Sequence, residues 1–141
     1  MTIGRLIEGR DSAIVTCDAA ASVAEAIALL AGRRIGALPV LEDGKVAGIF
    51  SERDVIYRLQ QDGTAMMDCR VGEVMTRPAV AVDPEMQVLH ALSLMTKRRI
   101  RHLPVLKDGE MIGFISIGDL VKYRIDRIES EAESLRAYIQ T

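Results

Sequence analysis

A 22-residue stretch of this chain occurs twice. Residues 33–54 read RRIGALPVLEDGKVAGIFSERD, and residues 98–119 read RRIRHLPVLKDGEMIGFISIGD. Arg33 aligns with Arg98, Pro39 with Pro104, Gly48 with Gly113 and Asp54 with Asp119, always 65 positions apart. The same offset joins Asp18 to Asp83, Val23 to Val88 and Leu29 to Leu94. A period this long without slippage means two copies of one supersecondary unit, not a short-period solenoid. A chain of 141 residues is the size of one compact domain and can bury roughly two-thirds of its unfolded surface, so the copies are expected to share a core.

Composition narrows the function classes. A net charge of −2 offers no broad basic surface to nucleic acid. Tryptophan is absent and aromatics are 4%, which argues against stacking platforms for single strands. No run approaches the ~18 apolar residues of a membrane helix, and Met-Thr-Ile-Gly-Arg starts no signal core. Cys17 and Cys69 are far apart with no Cys-x-x-Cys, the usage of reduced thiols. A cytoplasmic protein with no membrane or nucleic-acid partner is expected.

Along the chain, Met1 to Arg10 reads as a lead-in and Ala13–Thr16 as a short strand. Ser22 followed by Glu25 has capping-box spacing, and Val23, Ala26, Ile27, Leu30 and Ala31 follow at helical intervals up to Gly32. Ala37–Leu41 is a strand holding Pro39, which cannot donate a ladder bond and so predicts an edge or a break. Asp43-Gly44 supplies the positive φ angles of a tight hairpin, Val46–Phe50 returns, and Ser51 opens a helix through Leu59. Residues 60–70 lose periodicity and read as a linker. The second copy starts with a short helix at Val71–Met75. A strand at Ala79–Val82, a helix from Pro84 to Lys97 and a second hairpin around Asp108-Gly109 follow. The fold class is α/β (α+β), with two strand–helix–strand–strand–helix repeats stacked to bury their half-covered sheets. By period the units are 8–65 and 73–130, with a C-terminal extension over 131–141. Val121, Ile125, Ile128, Ala132, Leu135 and Ile139 form a heptad seam that either packs on its own core or meets a partner chain, the reading favoured here.

The chemistry-bearing residues cluster where each hairpin ends. Gly48-Ile49-Phe50-Ser51-Glu52-Arg53-Asp54 and Gly113-Phe114-Ile115-Ser116-Ile117-Gly118-Asp119 share the pattern glycine, two apolar residues, Ser-x-x-Asp. A serine N-cap with aspartate at the third helical position is explained by helix capping alone, worth ~1 kcal/mol. A carboxylate at a helix start also suits the paired hydroxyls of a ribose, in charge-assisted bonds of ~1.5–3 kcal/mol each.

With Ile-x-x-Leu-Pro-Val upstream and Asp-Gly in the turn, the doubled pattern resembles the cystathionine-β-synthase-type (CBS) domain, whose tandem pair is the Bateman module. The resemblance covers nearly the whole chain. It implies a pseudo-two-fold disc that binds an adenine nucleotide between the repeats as a regulatory ligand, with no required cofactor. The aspartate would hold the ribose, with the serine and the residue before the aspartate beside it: Ser51, Arg53 and Asp54, and Ser116, Gly118 and Asp119. Base contacts would come from Ile35, Gly36 and Ala37 facing Asp119, and from Ile100, Arg101 and His102 facing Asp54. Further wall would come from the first strands, around Val15, Thr16 and Val80. Arg53, Arg101 and His102 are the candidate phosphate donors of the Asp54 side, which is therefore expected to prefer the more phosphorylated ligand; the other side has only His102 or Arg10 nearby. The alternative for Arg101 and His102 is an exposed basic edge beside Arg98 and Arg99.

No catalytic residue emerges. The chain has no Gly-x-Ser-x-Gly elbow, Walker loop, dinucleotide fingerprint or His-Glu-x-x-His, and no metal-ligand spacing. The expected function is a non-enzymatic regulatory module for AMP, ADP, ATP, NAD or S-adenosylmethionine, a homodimer acting on an unknown partner protein. The alternative is a structural dimerisation protein with vestigial clefts. Asp54→Ala and Asp119→Ala should each weaken nucleotide binding about 10- to 100-fold in a titration, with little change in the melting of the free protein.

Overall fold

The computed structural model describes residues 1–10 and 13–140. In chain order the elements are α1 (Ile3–Ile7), β1 (Cys17–Asp18), α2 (Val23–Arg33), β2 (Ala37–Glu42), β3 (Lys45–Ser51) and α3 (Glu52–Asp62). A 3-10 segment (Gly63–Asp68), α4 (Val71–Val74), α5 (Val88–Arg98), β4 (His102–Lys107), β5 (Glu110–Ser116) and α6 (Ile117–Gln140) complete the chain.

Local chemistry sets most of these boundaries. Asp18 opens the first repeat with a side-chain turn, its Oδ1 accepting the Ala20 N–H at 2.9 Å, and Asp83 does the same for Glu85 at 2.8 Å. That turn keeps Pro84 outside α5, so the helix begins at Val88 rather than at the proline. Ser22 and Glu25 form the full capping box at the start of α2. The helix does not end at Gly32. It runs to Arg33 and closes on Arg34 at φ 53°, where the Arg34 N–H reaches the Ala31 carbonyl and the Ile35 N–H reaches Leu30. Arg99 closes α5 at φ 55°, with the Ile100 N–H on Met95. The doubled closure pins one isoleucine per repeat against its own helix end, so side-chain burial holds a left-handed arginine that glycine would adopt more cheaply.

Both hairpins turn on Asp-Gly with positive φ at both residues, 53° and 79° in the first, 52° and 81° in the second. The proline constraint is met differently from a plain edge. In the first sheet, ordered β1-β2-β3, β2 is central, but β1 pairs only with Val40 and Leu41, so no neighbour on that side needs an N–H from Pro39. A register shift follows between Val40 and Leu41, and between Val105 and Leu106 in the second repeat. The short parallel contact is all that remains of the expected first strands. Ala13–Thr16 is not one; the strand is Cys17–Asp18. Of Ala79–Val82 only a single bridge, Val82 to Val105, is formed.

Residues 60–70 are not an open linker. The helix α3 continues to Asp62, Gly63 ends it at φ 63°, and the 3-10 segment places Met66 in the first core, 1% exposed. That core also holds Val23, Leu30, Leu38, Val40, Phe50 and Val71; the second holds Ile3, Val82, Val88, Met95, Leu103, Ile115 and Leu120.

The cores therefore exchange ends relative to the sequence period. The helix α4 precedes the second repeat but packs on the first, where the N–H groups of Val71 and Gly72 donate to the carbonyls of Ala21 and Ala19. The helix α1 precedes the first repeat but packs on the second, where Ile3 and Gly4 donate to Met86 and Pro84. Ile3 stands to Val71 at an offset of 68 instead of 65. Fully buried Ile3 is a core residue of the distal repeat. Ile3→Ala should cost about 2–5 kcal/mol by urea denaturation, the loss of an interior isoleucine rather than of a terminal one.

Candidate functional site

The two helix starts that carry Ser-x-x-Asp share a backbone and differ in what faces them. The Ser51 N–H donates to Asp54 Oδ2 at 2.9 Å, the Ser51 hydroxyl does so at 3.1 Å, and the Asp54 N–H returns a long bond to Ser51. In the second repeat the Ser116 N–H donates to Asp119 Oδ2 at 2.8 Å, and the Asp119 N–H reaches Ser116 Oγ at 3.2 Å. Both aspartates thus complete helix caps, and each has one further carboxylate oxygen that something else can use.

Beside Asp54 that oxygen is taken from within. Thr76, at the end of the α4 segment, donates its hydroxyl to Asp54 Oδ1 at 2.8 Å. The Thr76 N–H and carbonyl pair with Ile49. A Cβ on Gly48 would lie 2.5 Å from the Thr76 carbonyl and 2.8 Å from Met75 Sδ, so only glycine lets the segment lie this close to β3.

Beside Asp119 the equivalent segment is the end of α1, and here the chain leaves space. A cavity of about 280 Å³ lies between the repeats, just under the usual range for a small-molecule site. Ile7, Ala13, Ile14, Val15, Ile35, Ala37, Ile112, Gly113 and Phe114 give it an apolar side, and Arg10, His102, Ser116 and Asp119 a polar one. The Arg10 guanidinium closes on the carboxylate as a fork, 3.2 Å from Oδ1 and 3.4 Å from Oδ2. Burial alone would raise the Asp119 pKa; the Ser116 N–H and then the Arg10 guanidinium outweigh it and hold the carboxyl below its ordinary value. His102 stacks on Phe114 with ring centres 5.5 Å apart, and burial pushes its pKa below 6.5 against the pull of Asp119 and Glu52.

The sequence-derived residues are distributed unevenly over these places. Ile35, Ala37, Ser116 and Asp119 line the cavity together. Gly36 lies between Glu52 and His102, and its carbonyl accepts the Glu52 N–H. Thr16 is half-buried and is not among the cavity-lining residues, although Val15 is. Gly118 is exposed, and a Cβ there would meet only Ser116 Oγ. Val80 and Ile100 pack against the second core.

The cations expected to serve a phosphate at Asp54 have these places in the structure. Arg53 donates to the Arg99 carbonyl at 2.9 Å, satisfying the end of α5; Arg101 is exposed; and His102 lines the Asp119 cavity. Sequence reasoning missed Thr76, Ile7, Ile112 and Phe114. Gly113 was the available signal for Ile7, because a Cβ there would lie 2.8 Å from Ile7 Cδ1. Among the described residues no group of histidines, cysteines and carboxylates could hold a metal. Burial, then Asp18 and Glu25, push the Cys17 thiol up to about 11, far from a nucleophile.

The CBS-domain family model matches residues 10–61 and 71–126. The chain belongs to the CBS-domain family. A mitochondrial CBS domain-containing protein of Arabidopsis thaliana, CBSX3, is 38% identical over 135 residues, covering 92% of this chain and 66% of its own length. A CBS-domain protein from Burkholderia ambifaria, described as a putative signal-transduction protein, superposes with a TM-score of 0.82 at 38% identity, over 89% of this chain and 95% of its own. The crystal structure of CBSX2 in complex with AMP superposes with a TM-score of 0.74 at 26% identity, over 89% of this chain and 96% of its own. The two CBS repeats are thus a paired module of mixed helices and strands with a long final helix. No described helix is long and apolar enough to cross a membrane.

The His102 shift has a signed consequence. Its folded pKa lies below 6.5, so between the two values the unfolded chain binds a proton that the folded chain refuses. The His102 contribution is intact above 6.5 and is lost as pH falls toward the folded value. Urea midpoints measured from about pH 7 to about pH 5 should fall, and His102→Gln should flatten that slope.

Proposed function

We propose that this CBS pair is a regulatory module that takes one adenine nucleotide per chain, in the cleft that ends at Asp119. The observation that carries this is the two-sided cavity. Its apolar side, with Phe114, suits a flat base; the Asp119 carboxylate suits the ribose hydroxyls; and Arg10 suits a phosphate. The AMP-bound CBSX2 structure supports the same ligand class.

Binding here is an exchange. Arg10 leaves Asp119 for the phosphate while the ribose takes the freed carboxylate oxygens. The Asp54 cleft is internally satisfied through Thr76, so we assign it a structural role and drop its preference for a more phosphorylated ligand. Ribose binding would be coupled to partner binding through the packing between repeats, without catalysis. The exposed seam of α6 supports a homodimer. The free, half-buried thiols of Cys17 and Cys69 fit a reducing compartment such as the cytoplasm; the mitochondrial relative makes cell fractionation the deciding measurement.

Calorimetric titration with AMP, ADP, ATP, NAD, S-adenosylmethionine and adenosine tests the site. Asp119→Ala should weaken AMP about 10- to 100-fold. Asp54→Ala should leave AMP affinity unchanged within about twofold while lowering the stability of the free protein by about 1–3 kcal/mol, since three hydrogen-bond donors lose their acceptor. Arg10→Ala should erase the preference for AMP over adenosine. Absence of any heat or melting shift with all six ligands at millimolar concentration overturns the nucleotide reading and leaves the module as a dimerisation scaffold.

A further inference from the structure

Along α6 an apolar stripe faces solvent. Val121, Ile125, Ile128, Leu135 and Ile139 are 40%, 50%, 49%, 61% and 73% exposed, with half-buried Ala132 completing the row. Buried Leu120 and half-buried Tyr123 hold the first turns of α6 on the second core. At 100° per residue they lie roughly a third of a turn or more from the stripe, so the helix serves both surfaces at once. In the first repeat α3 stops at Asp62, so only α6 continues far enough to carry such a stripe.

We propose that this stripe is the seam of a parallel, in-register two-stranded coiled coil with α6 of a second copy. This rests on the homodimer reading above and adds its direction and register. The spacing 4-3-4-3-4 places Val121, Ile128 and Leu135 at d and Ile125, Ala132 and Ile139 at a. The flanking e positions are then Lys122, Glu129 and Arg136, and the g positions Arg124, Glu131 and Tyr138.

Charge decides the direction. In a parallel in-register pair each g residue meets the e residue five positions further along the other helix. Arg124 then faces the partner's Glu129, and Glu131 faces the partner's Arg136. Symmetry doubles both, and every charged pair is attractive. In the antiparallel arrangement that overlaps the whole seam, Ile128 lies against the partner's Ala132. Glu129 then meets the partner's Glu129, Glu131 its own counterpart, and Lys122 the partner's Arg136. All are like charges. Antiparallel offsets that avoid these clashes leave outer apolar layers uncovered. Glu131 now bonds Arg127 at 3.2 Å one turn away, an exposed pair that a partner arginine can replace at little cost.

The test uses the full chain. Light scattering at micromolar concentration should give twice the chain mass for the natural sequence and once for Ile128→Glu, with the far-UV spectrum and the AMP titration unchanged. Mild oxidation of Ala132→Cys should give a covalent dimer that the natural sequence, with Cys17 and Cys69 alone, does not form. A monomeric natural chain, or an Ile128→Glu dimer, overturns the proposal. So does an Ala132→Cys chain that links only to an Ile128→Cys chain in a mixture, the signature of antiparallel helices. Because AMP binding is read separately, a failed coil with intact titration leaves the ligand reading standing, and cross-linking without AMP binding does the reverse.

Discussion

Everything in this molecule hangs on the exchange of leading helices. Neither repeat closes its own core: Ile3 fills the second, and Met66 with Val71 fills the first. Each hairpin sheet with its own two helices still leaves core surface open, and the exchanged segment covers what is missing. The chain crosses between repeats twice to do this, so the two halves are stabilised as one cooperative body. The surroundings of Asp54 and Asp119 are set by the same two segments.

That makes the surroundings of the two aspartates unequal. Both leading segments approach a glycine of the hairpin, Gly48 or Gly113, but they bring different residues to the aspartate beyond it. One brings Thr76, a short neutral hydroxyl that fills the last acceptor of Asp54. The other brings Arg10, a long side chain that reaches Asp119 from outside and leaves a cavity beneath its reach. Near-identical Ser-x-x-Asp helix starts thus differ through residues outside the repeated stretch.

This also explains what the sequence could and could not tell. Ser22 with Glu25, Ser51 with Asp54 and both Asp-Gly turns are readable because each is settled by neighbours within a few positions. The alignment of Ile35 and Ala37 with Ser116 and Asp119 became readable only through the family resemblance, since it crosses the chain. Thr76 and Ile7 were hidden for a different reason. Their helices are four and five residues long, too short for any period to show, and their offset slips from 65 to 68. Gly32 misled because a glycine near a helix end is a common stop; packing of half-buried Ile35 and Ile100 against the cores accompanies the stop at Arg34 and Arg99 instead. The missing first strands follow from the bulges after Val40 and Val105, which leave a parallel neighbour no more than two residues to pair with.

The fork of Arg10 on Asp119 already engages the carboxylate that the proposed nucleotide would use. When the acceptor for a guest is already engaged by a residue of the host, the observed affinity is the intrinsic one scaled by the fraction of time the host lets go. If the cavity takes the proposed nucleotide, the fork would set a threshold, so that scarce ligand is ignored and only an abundant one registers. Since the fork is partly open to water, dissolved ions weaken it, and that threshold moves with the ionic strength around the protein.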